Sequence, residues 1–237
     1  MMRRAFETTK WSVVLRARGA EASGSPEALA ALCQAYWFPL YAFARRQGHS
    51  ADDAADLVQA YFAAFLEKNF LHGVRPEAGR FRSFLLVSMR HFLANAWDRT
   101  QTKKRGGDFD LVPLETGEAE ARYVREPSHE LTPERVYERR WALTVLDRVH
   151  AALRREFAAA GKAPVLAELE VFLTGQEPQP SYRVIGERLE MSEGAVKVAV
   201  HRLRRRFGDR LREEIADTVV EPAEIDDEIR HLLSAIA

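Results

Sequence analysis

The side chains best suited to chemistry in this chain are the cations of residues 194–208, a stretch with no acidic residue. At 100° per residue of an α-helix, the positions opposite the apolar ones fall on one face. They are Gly194, Lys197, Val198, His201, Arg202 and Arg205. Lysine and arginine donate to phosphate oxygens and to base edges, so this face predicts binding of nucleic acid. A basic face that meets only solvent is the alternative.

Two short helices must position this face, and their sequence signals meet without a loop. Ser181 and Ser192 are N-cap residues for the two helices, and Glu193 complements the positive end of the second. Gly186 is small enough for crossing helices to approach closely. The apolar stripe of the second helix consists of Val196, Ala199, Val200, Leu203 and Phe207. The pattern predicts a helix-turn-helix with a basic outward face, a form that fits the major groove.

A helix predicted from Ser50 to about Leu66 carries an acidic face that also contains alanine. That face consists of Asp52, Asp56, Gln59, Ala60, Ala63 and Glu67. The opposite, buried stripe is expected at Leu57, Val58, Tyr61, Phe62 and Phe65. Small residues let another helix approach, yet alanine and glutamate are also ordinary helix formers. The residues alone favour an ordinary surface.

A helix predicted from Arg80 to about Thr102 mixes aromatic, polar and basic side chains. Its outward side is expected to show Ser83, Val87, Arg90, His91, Ala94, Asp98 and Gln101, and it ends at Lys103-Lys104-Arg105. Polar and basic groups interleaved with Trp97 suit single-stranded nucleic acid, because bases stack on aromatic rings. The alternative is that the aromatic residues are core and the basic end complements the helix dipole.

Composition narrows the class of protein. The 237 residues carry 35 lysines and arginines against 35 acidic residues, and one cysteine, Cys33, excludes an internal disulfide. No apolar run approaches the roughly 20 residues of a membrane span, and no signal peptide is read, so a cytoplasmic protein without membrane insertion is expected. No catalytic constellation, metal site or cofactor loop is found, so an enzyme is not expected.

The predicted fold is all-α, with two helical domains joined by an acidic linker, the second containing the helix-turn-helix. The predicted segments are an N-terminal helix and loop (1–24), a first helical domain (25–105), the linker (106–130), the helix-turn-helix domain (131–216) and an acidic C-terminal helix (217–237). The linker acids are Asp108, Asp110, Glu115, Glu118 and Glu120. With too little apolar surface to fold alone, this segment is predicted to be mobile in the free chain.

Four segments in this order resemble a bacterial RNA polymerase sigma factor of the extracytoplasmic-function group. Residues 28–46 resemble the opening helix of the promoter-melting domain, and residues 53–62 resemble the polymerase-clamp helix. Phe81-Arg-Ser-Phe-Leu begins what looks like the helix that reads the −10 element. The segment from Ser181 to Lys197 resembles the motif that reads the −35 element.

The resemblance implies roles for the residues that match. Promoter contacts at −35 would come from Ser192, Glu193, Gly194, Lys197, Val198, His201, Arg202 and Arg205, and at −10 from Arg80, Arg90, His91, Asn95, Asp98 and Lys103. Contacts with a coiled coil of the polymerase's large subunit would come from Asp53, Asp56, Gln59 and Ala63. The implied partners are core RNA polymerase, promoter DNA and, as a further candidate, an anti-sigma factor.

The chain departs from the family pattern at several positions. Ala60 stands where an acid is common in the family. Glu190 stands at the turn where glycine is usual, so a residue with a side chain must adopt a left-handed backbone conformation there. His91 stands where asparagine is frequent, and residues 139–174 are longer than usual. Two rival functions remain open: a helix-turn-helix transcriptional regulator with a helical sensing or dimerisation domain, and a DNA-processing enzyme.

Overall fold

A computed structural model describes residues 26–66, 80–100, 116–124, 131–173, 178–216, 218–219 and 221–237. Within these ranges the chain is helical and has no strand, which confirms the predicted all-α class. The helices are α1 (Pro26–Arg46), α2 (Ala51–Leu66), α3 (Phe81–Thr100), α4 (Thr116–Val124), α5 (Pro133–Ala159), α6 (Ala163–Leu169), α7 (Tyr182–Leu189), α8 (Glu193–Ala216) and α9 (Ile225–Ile236). The helix and loop predicted for residues 1–24, and Lys103, lie outside the described residues.

The chain forms two compact units. The first unit comprises Met1–Thr144 and Ile215–Ala237, and the second unit comprises Val145–Glu214. The first twelve residues of α5 and the whole of α9 therefore belong to the first unit. The division falls within α5 and within α8, whereas the sequence pattern had suggested residues 131 and 217 as boundaries.

Aromatic side chains of α1, α2 and α3 form the core of the first unit. Val58, Phe62 and Phe65 are buried on α2, as the stripe predicted. Tyr36 of α1 meets Phe81 of α3 edge-on at 5.4 Å between ring centroids, and Tyr61 of α2 meets Phe92 at 5.6 Å. Edge-to-face aromatic pairs add to the free energy of simple burial, so these contacts hold the three helices together.

The prediction of a mobile linker is wrong for residues 116–124, which form α4 and contact α1 and α2. Ala119 is fully buried, and the Glu120 carboxylate accepts hydrogen bonds from Arg45 Nε at 2.9 Å and from the Tyr41 hydroxyl at 2.6 Å. The Arg45 guanidinium lowers the pKa of the Glu120 carboxyl. An acid that looked solvated in sequence thus has a partner 75 residues away, and that partner stabilises a helix here.

The second unit contains the C-terminal part of α5 with α6, α7 and most of α8. α5 ends at Ala159 and is followed by Gly161, which takes φ +67°, and α6 begins at Ala163. The apolar residues buried here are Val145, Val149, Leu153, Leu166, Leu169, Phe172, Ile185, Val196, Val200, Leu203 and Leu211. This core supports α8 from one side only and leaves its other face to solvent.

Candidate nucleic-acid interface

A three-residue turn joins α7 to α8, and local hydrogen bonds define both helix starts. The Ser181 hydroxyl accepts from the Val184 amide at 3.4 Å, and the Ser192 hydroxyl accepts from the Ala195 amide at 3.2 Å. Glu190 closes α7 in the left-handed region, with φ 55° and ψ 39°, as its position had predicted. This conformation costs a residue with a side chain about 1–2 kcal/mol. Contacts of the surrounding turn must therefore offset this conformational cost at Glu190.

Gly186 is required where the turn folds back over α7. The Met191 amide donates to the Gly186 carbonyl at 2.9 Å. A Cβ atom added at Gly186 would lie 2.5 Å from the Met191 carbonyl oxygen and 3.7 Å from a methyl of Val196. The close approach predicted at Gly186 is confirmed, and its neighbour is the backbone of the turn. This contact sets the direction in which α8 leaves the turn.

One face of α8 is buried and the opposite face is exposed. Val196, Val200 and Leu203 are buried, whereas Ala199 and Phe207 are half-buried. The predicted contact residues Ser192, Glu193, Gly194, Lys197, Val198, His201, Arg202 and Arg205 are all exposed. Among the described residues, no hydrogen bond or ion pair engages the side chains of Lys197, His201, Arg202 or Arg205. The face is available for an external partner.

Other arginines of α8 are engaged within the second unit. The Arg204 guanidinium donates to the Phe172 carbonyl at 3.2 Å. Arg206 and Arg210 both donate to the Glu156 carboxylate, with Nε of Arg206 at 2.7 Å from Oε1 and Nη2 of Arg210 at 2.7 Å from Oε2. Arg206 and then Arg210 lower the pKa of Glu156 to about 2. The arginines of α8 that bind other residues of the second unit therefore lie on a different face of the helix from the unpaired arginines.

The exposed side of α3 matches its prediction in part. Ser83, Val87, Arg90, His91, Ala94 and Asn95 are exposed. Arg90 forms an ion pair with Glu134 of α5, so its charge is partly neutralised. His91 and Asn95 carry no such contact among the described residues. Asp98 lies in α3, but its side chain is outside the described part of the chain, as is Lys103.

Arg80, a predicted −10 contact, is held in a buried ionic network of the first unit. Its Nε lies 2.8 Å from Oε2 of Glu228, a residue of α9 that is fully buried. Arg82, only 2% exposed, donates to the same carboxylate from Nε at 2.8 Å and to Glu138 of α5 from Nη1 at 2.8 Å. The network attaches α9 and α5 to α3 and occupies the Arg80 guanidinium.

Sequence reasoning missed this network, although the signal was present. Residues 82, 85, 86 and 89 form one stripe of α3, and Leu85, Leu86 and Met89 in this stripe are buried apolar residues. Arg82 is the charged member of the stripe. Glu228 stands similarly among Ile225, Ile229 and Leu232 on the apolar face of α9. When each of two apolar stripes contains one charged residue, and the two charges are opposite in sign, a buried ion pair is indicated. The pattern indicates burial of each charge but does not identify its partner.

The acidic face of α2 is exposed as predicted. Asp52, Asp56, Gln59 and Ala60 are exposed, and Ala63 is half-buried. Asp53 is exposed but takes part in the helix cap, because the Ser50 hydroxyl donates to its carboxylate at 2.7 Å and accepts from its amide at 3.1 Å. No described cation pairs with Asp56. Within the described residues, the face therefore offers two unpaired carboxylates, those of Asp52 and Asp56, beside small side chains.

Within the described ranges, no cluster of three or more His, Cys, Asp or Glu residues could hold a metal ion. None of the helices described is both long enough and apolar enough to cross a membrane. No protein-family model, curated protein or solved structure matches this chain.

Proposed function

We propose that this chain is an RNA polymerase sigma factor of the extracytoplasmic-function group. It directs core polymerase to promoters, recognises −10 and −35 elements and initiates transcription. The observation that carries the proposal is the outward face of α8, where Lys197, His201, Arg202 and Arg205 are exposed and unpaired. The packed turn between α7 and α8 gives that face a defined direction.

The dimensions of α8 suit the major groove of duplex DNA. From Gly194 to Arg205 the face extends about 16 Å at about 1.5 Å per residue. An α-helix fits a major groove about 12 Å wide, and its N-terminal residues reach base edges. We propose that Arg202, one turn beyond Val198, pairs with a guanine and that Arg205, farther along the helix, contacts a phosphate. Binding through such cations weakens as salt rises.

Contact with polymerase distinguishes a sigma factor from an ordinary regulator that carries the same DNA-binding segment. The exposed face of α2 supports that contact, because Asp56 and Gln59 stand beside Ala60 and Ala63. Small side chains let a partner helix approach closely, and an unpaired carboxylate is complementary to a basic partner. The proposed partner is the clamp coiled coil of the polymerase's large subunit.

Strand opening is proposed for the outward side of α3. Holding a base outside the stack costs a few kcal/mol, which contacts to that base must offset. His91 and Asn95 are exposed on adjoining turns, and a neutral imidazole can both donate and accept hydrogen bonds. Arg80 and Arg90 are engaged by Glu228 and Glu134, so phosphate contacts by these two residues require exchange of those partners.

The test is co-purification with core polymerase, followed by run-off transcription on genomic fragments. Asp56→Arg should abolish co-purification and transcripts while leaving the helix content unchanged, because Asp56 faces solvent. Asp209→Arg is the matched control, since it makes the same charge change at an exposed aspartate of α8. It should retain co-purification.

Two results would refute the proposal. One is normal polymerase binding by Asp56→Arg. The other is tight, sequence-selective binding of duplex DNA by the free chain without any polymerase association. The second result would favour a helix-turn-helix regulator, because a sigma factor acts through polymerase.

A further inference from the structure

Val198 is a large apolar residue on an otherwise basic face. Its side chain is 49% exposed, one of four such residues in the described part of the chain. Single exposed apolar residues are ordinary on protein surfaces. Val198, however, lies between Lys197 and Arg202, whose side chains are exposed and unpaired. Its surroundings are therefore those of a nucleic-acid contact.

The space around Val198 is open on the side that a ligand would approach. Gly194, four residues earlier, has no side chain, and a Cβ atom there would meet nothing within 4 Å. Ala195, three residues earlier, is exposed and adds only a methyl group. Behind Val198 lies an apolar cleft whose lining includes Ala195, Ala199 and Val165. A flat group can therefore reach the Val198 methyls and find apolar surface there.

We infer that Val198 reads the 5-methyl group of a thymine in duplex DNA and thereby determines specificity at the −35 element. The inference rests on the proposed function. Thymine is the base that presents a methyl group in the major groove, and apolar side chains recognise it by contact. Val198 lies in the second turn of α8, within the N-terminal part from which a recognition helix reaches base edges.

The helix geometry also predicts the spacing of the sequence that is read. Arg202 follows Val198 by four residues, which is about 6 Å along the helix axis. Successive bases are about 3.4 Å apart along a strand. A guanine contacted by Arg202 should therefore lie about two base pairs from the thymine contacted by Val198.

Charge argues for DNA rather than a protein as the occupant. Lys197, Arg202 and Arg205 border Val198 on the exposed face, and Lys162 lines the neighbouring cleft. Glu156 also lines the cleft, but Arg206 and Arg210 already bind its carboxylate. The surface is thus strongly cationic around a small apolar centre, which complements a thymine within a phosphate backbone.

The experiment uses the full chain bound to core polymerase. The probe is the duplex that this complex selects from a pool with randomised −35 positions. Each thymine is then replaced singly by deoxyuridine, which lacks only the 5-methyl group. One replacement should weaken binding by about three- to fivefold, the effect expected for removing one buried methyl-sized group. In Val198→Ala the same replacement should have a smaller effect, because the shorter side chain makes less contact with the methyl group.

Lys197→Ala is the matched control, because Lys197 is exposed on the same turn. It should weaken all duplexes alike and keep the ratio of thymine to deoxyuridine binding. Val198→Ala should fold normally, since the site is exposed and alanine is the better helix former. Circular dichroism checks this.

Three results would overturn the inference and leave the proposed function standing. The first is a selected duplex whose binding is unaffected by deoxyuridine at every position. The second is a ratio of thymine to deoxyuridine binding that Val198→Ala leaves unchanged. The third is loss of polymerase binding by Val198→Ala instead of loss of the methyl preference. Failure of the chain to bind polymerase or to select any duplex would refute the proposed function itself, and the inference with it.

Discussion

Helices α3 and α8 both expose one face, but their arginines are used differently. In α3, Arg82 is bound by Glu228 and Glu138, and Arg90 is bound by Glu134. Those carboxylates come from α5 and α9, which pack on α3. On the outward face of α8, Arg202 and Arg205 meet no carboxylate among the described residues. An arginine is structural where a packed neighbour supplies an acid, and available where the face borders solvent.

The same contrast appears within α8 alone. Arg206 and Arg210 are bound by Glu156 and attach α8 to α5, whereas Arg202 and Arg205 are unpaired. All four are arginines within nine residues of one helix. The face of the helix decides the role, because only one face meets the acid of another helix. Basic runs therefore overstate the number of cations available to nucleic acid.

The largest effect is expected from Glu228→Gln, which leaves Arg82 buried without its main counter-charge. Removing one partner of a buried pair costs about 3–5 kcal/mol in the free energy of unfolding. The second unit, residues 145–214, contains no tryptophan, and Trp37 and Trp141 are buried in the first unit, so tryptophan fluorescence during urea unfolding reports the first unit. Asp227→Asn, at an exposed ion pair, should change stability by less than about 1 kcal/mol. Equal effects of the two substitutions would contradict the structural role of Arg82.

A smaller loss is expected from Gly186→Ala, which tests whether the turn positions α8. The new Cβ would lie 2.5 Å from a carbonyl oxygen, and such overpacking costs about 1–3 kcal/mol. Gly208→Ala is the control, because a Cβ there meets nothing within 4 Å and alanine favours the helix. Unfolding followed by circular dichroism should show a lower midpoint for Gly186→Ala only. A stable Gly186→Ala variant would mean that the turn can relax.

Arg202→Ala and Arg206→Ala separate the two kinds of arginine on α8. Arg202→Ala should change the free energy of unfolding by less than about 0.5 kcal/mol, because the side chain is exposed and unpaired. In the polymerase complex it should cost about 1–3 kcal/mol of promoter binding and relax preference at one base pair. Arg206→Ala should lower stability without changing base preference. The reverse pattern would overturn the assignment of faces.

The smallest effect expected is a pH dependence in the second unit. Arg206 and Arg210 lower the pKa of Glu156 from 4.5 to about 2 in the folded chain. A carboxyl with a lowered folded pKa contributes stability above its unfolded pKa and loses it as pH falls. The wild-type chain should therefore lose stability relative to Glu156→Gln between about pH 4.5 and 2, measured by circular dichroism. A difference between the two proteins that stays constant with pH would show that the carboxylate is not held by these arginines.

Local features of the fold were predictable because their causes lie within one or two helical turns. The caps at Ser181 and Ser192 and the buried stripe of α8 follow from neighbours a few residues apart, and the left-handed backbone at Glu190 was expected from the resemblance. The exposed faces of α2 and α3 were also predicted correctly for the described residues. Their use by polymerase and DNA stays a prediction.

What the sequence alone determined is the position of most of the helices, α4 excepted, and which of their faces are apolar. Only the tertiary structure decided which charges are paired, because the partners are far apart in the chain. Arg82 meets Glu228 across 146 residues, and Arg45 meets Glu120 across 75. These contacts turned part of a presumed acidic linker into α4 and attached α9 to the first unit. Helical periodicity is a local property, whereas the pairing of buried charges depends on which helices pack together.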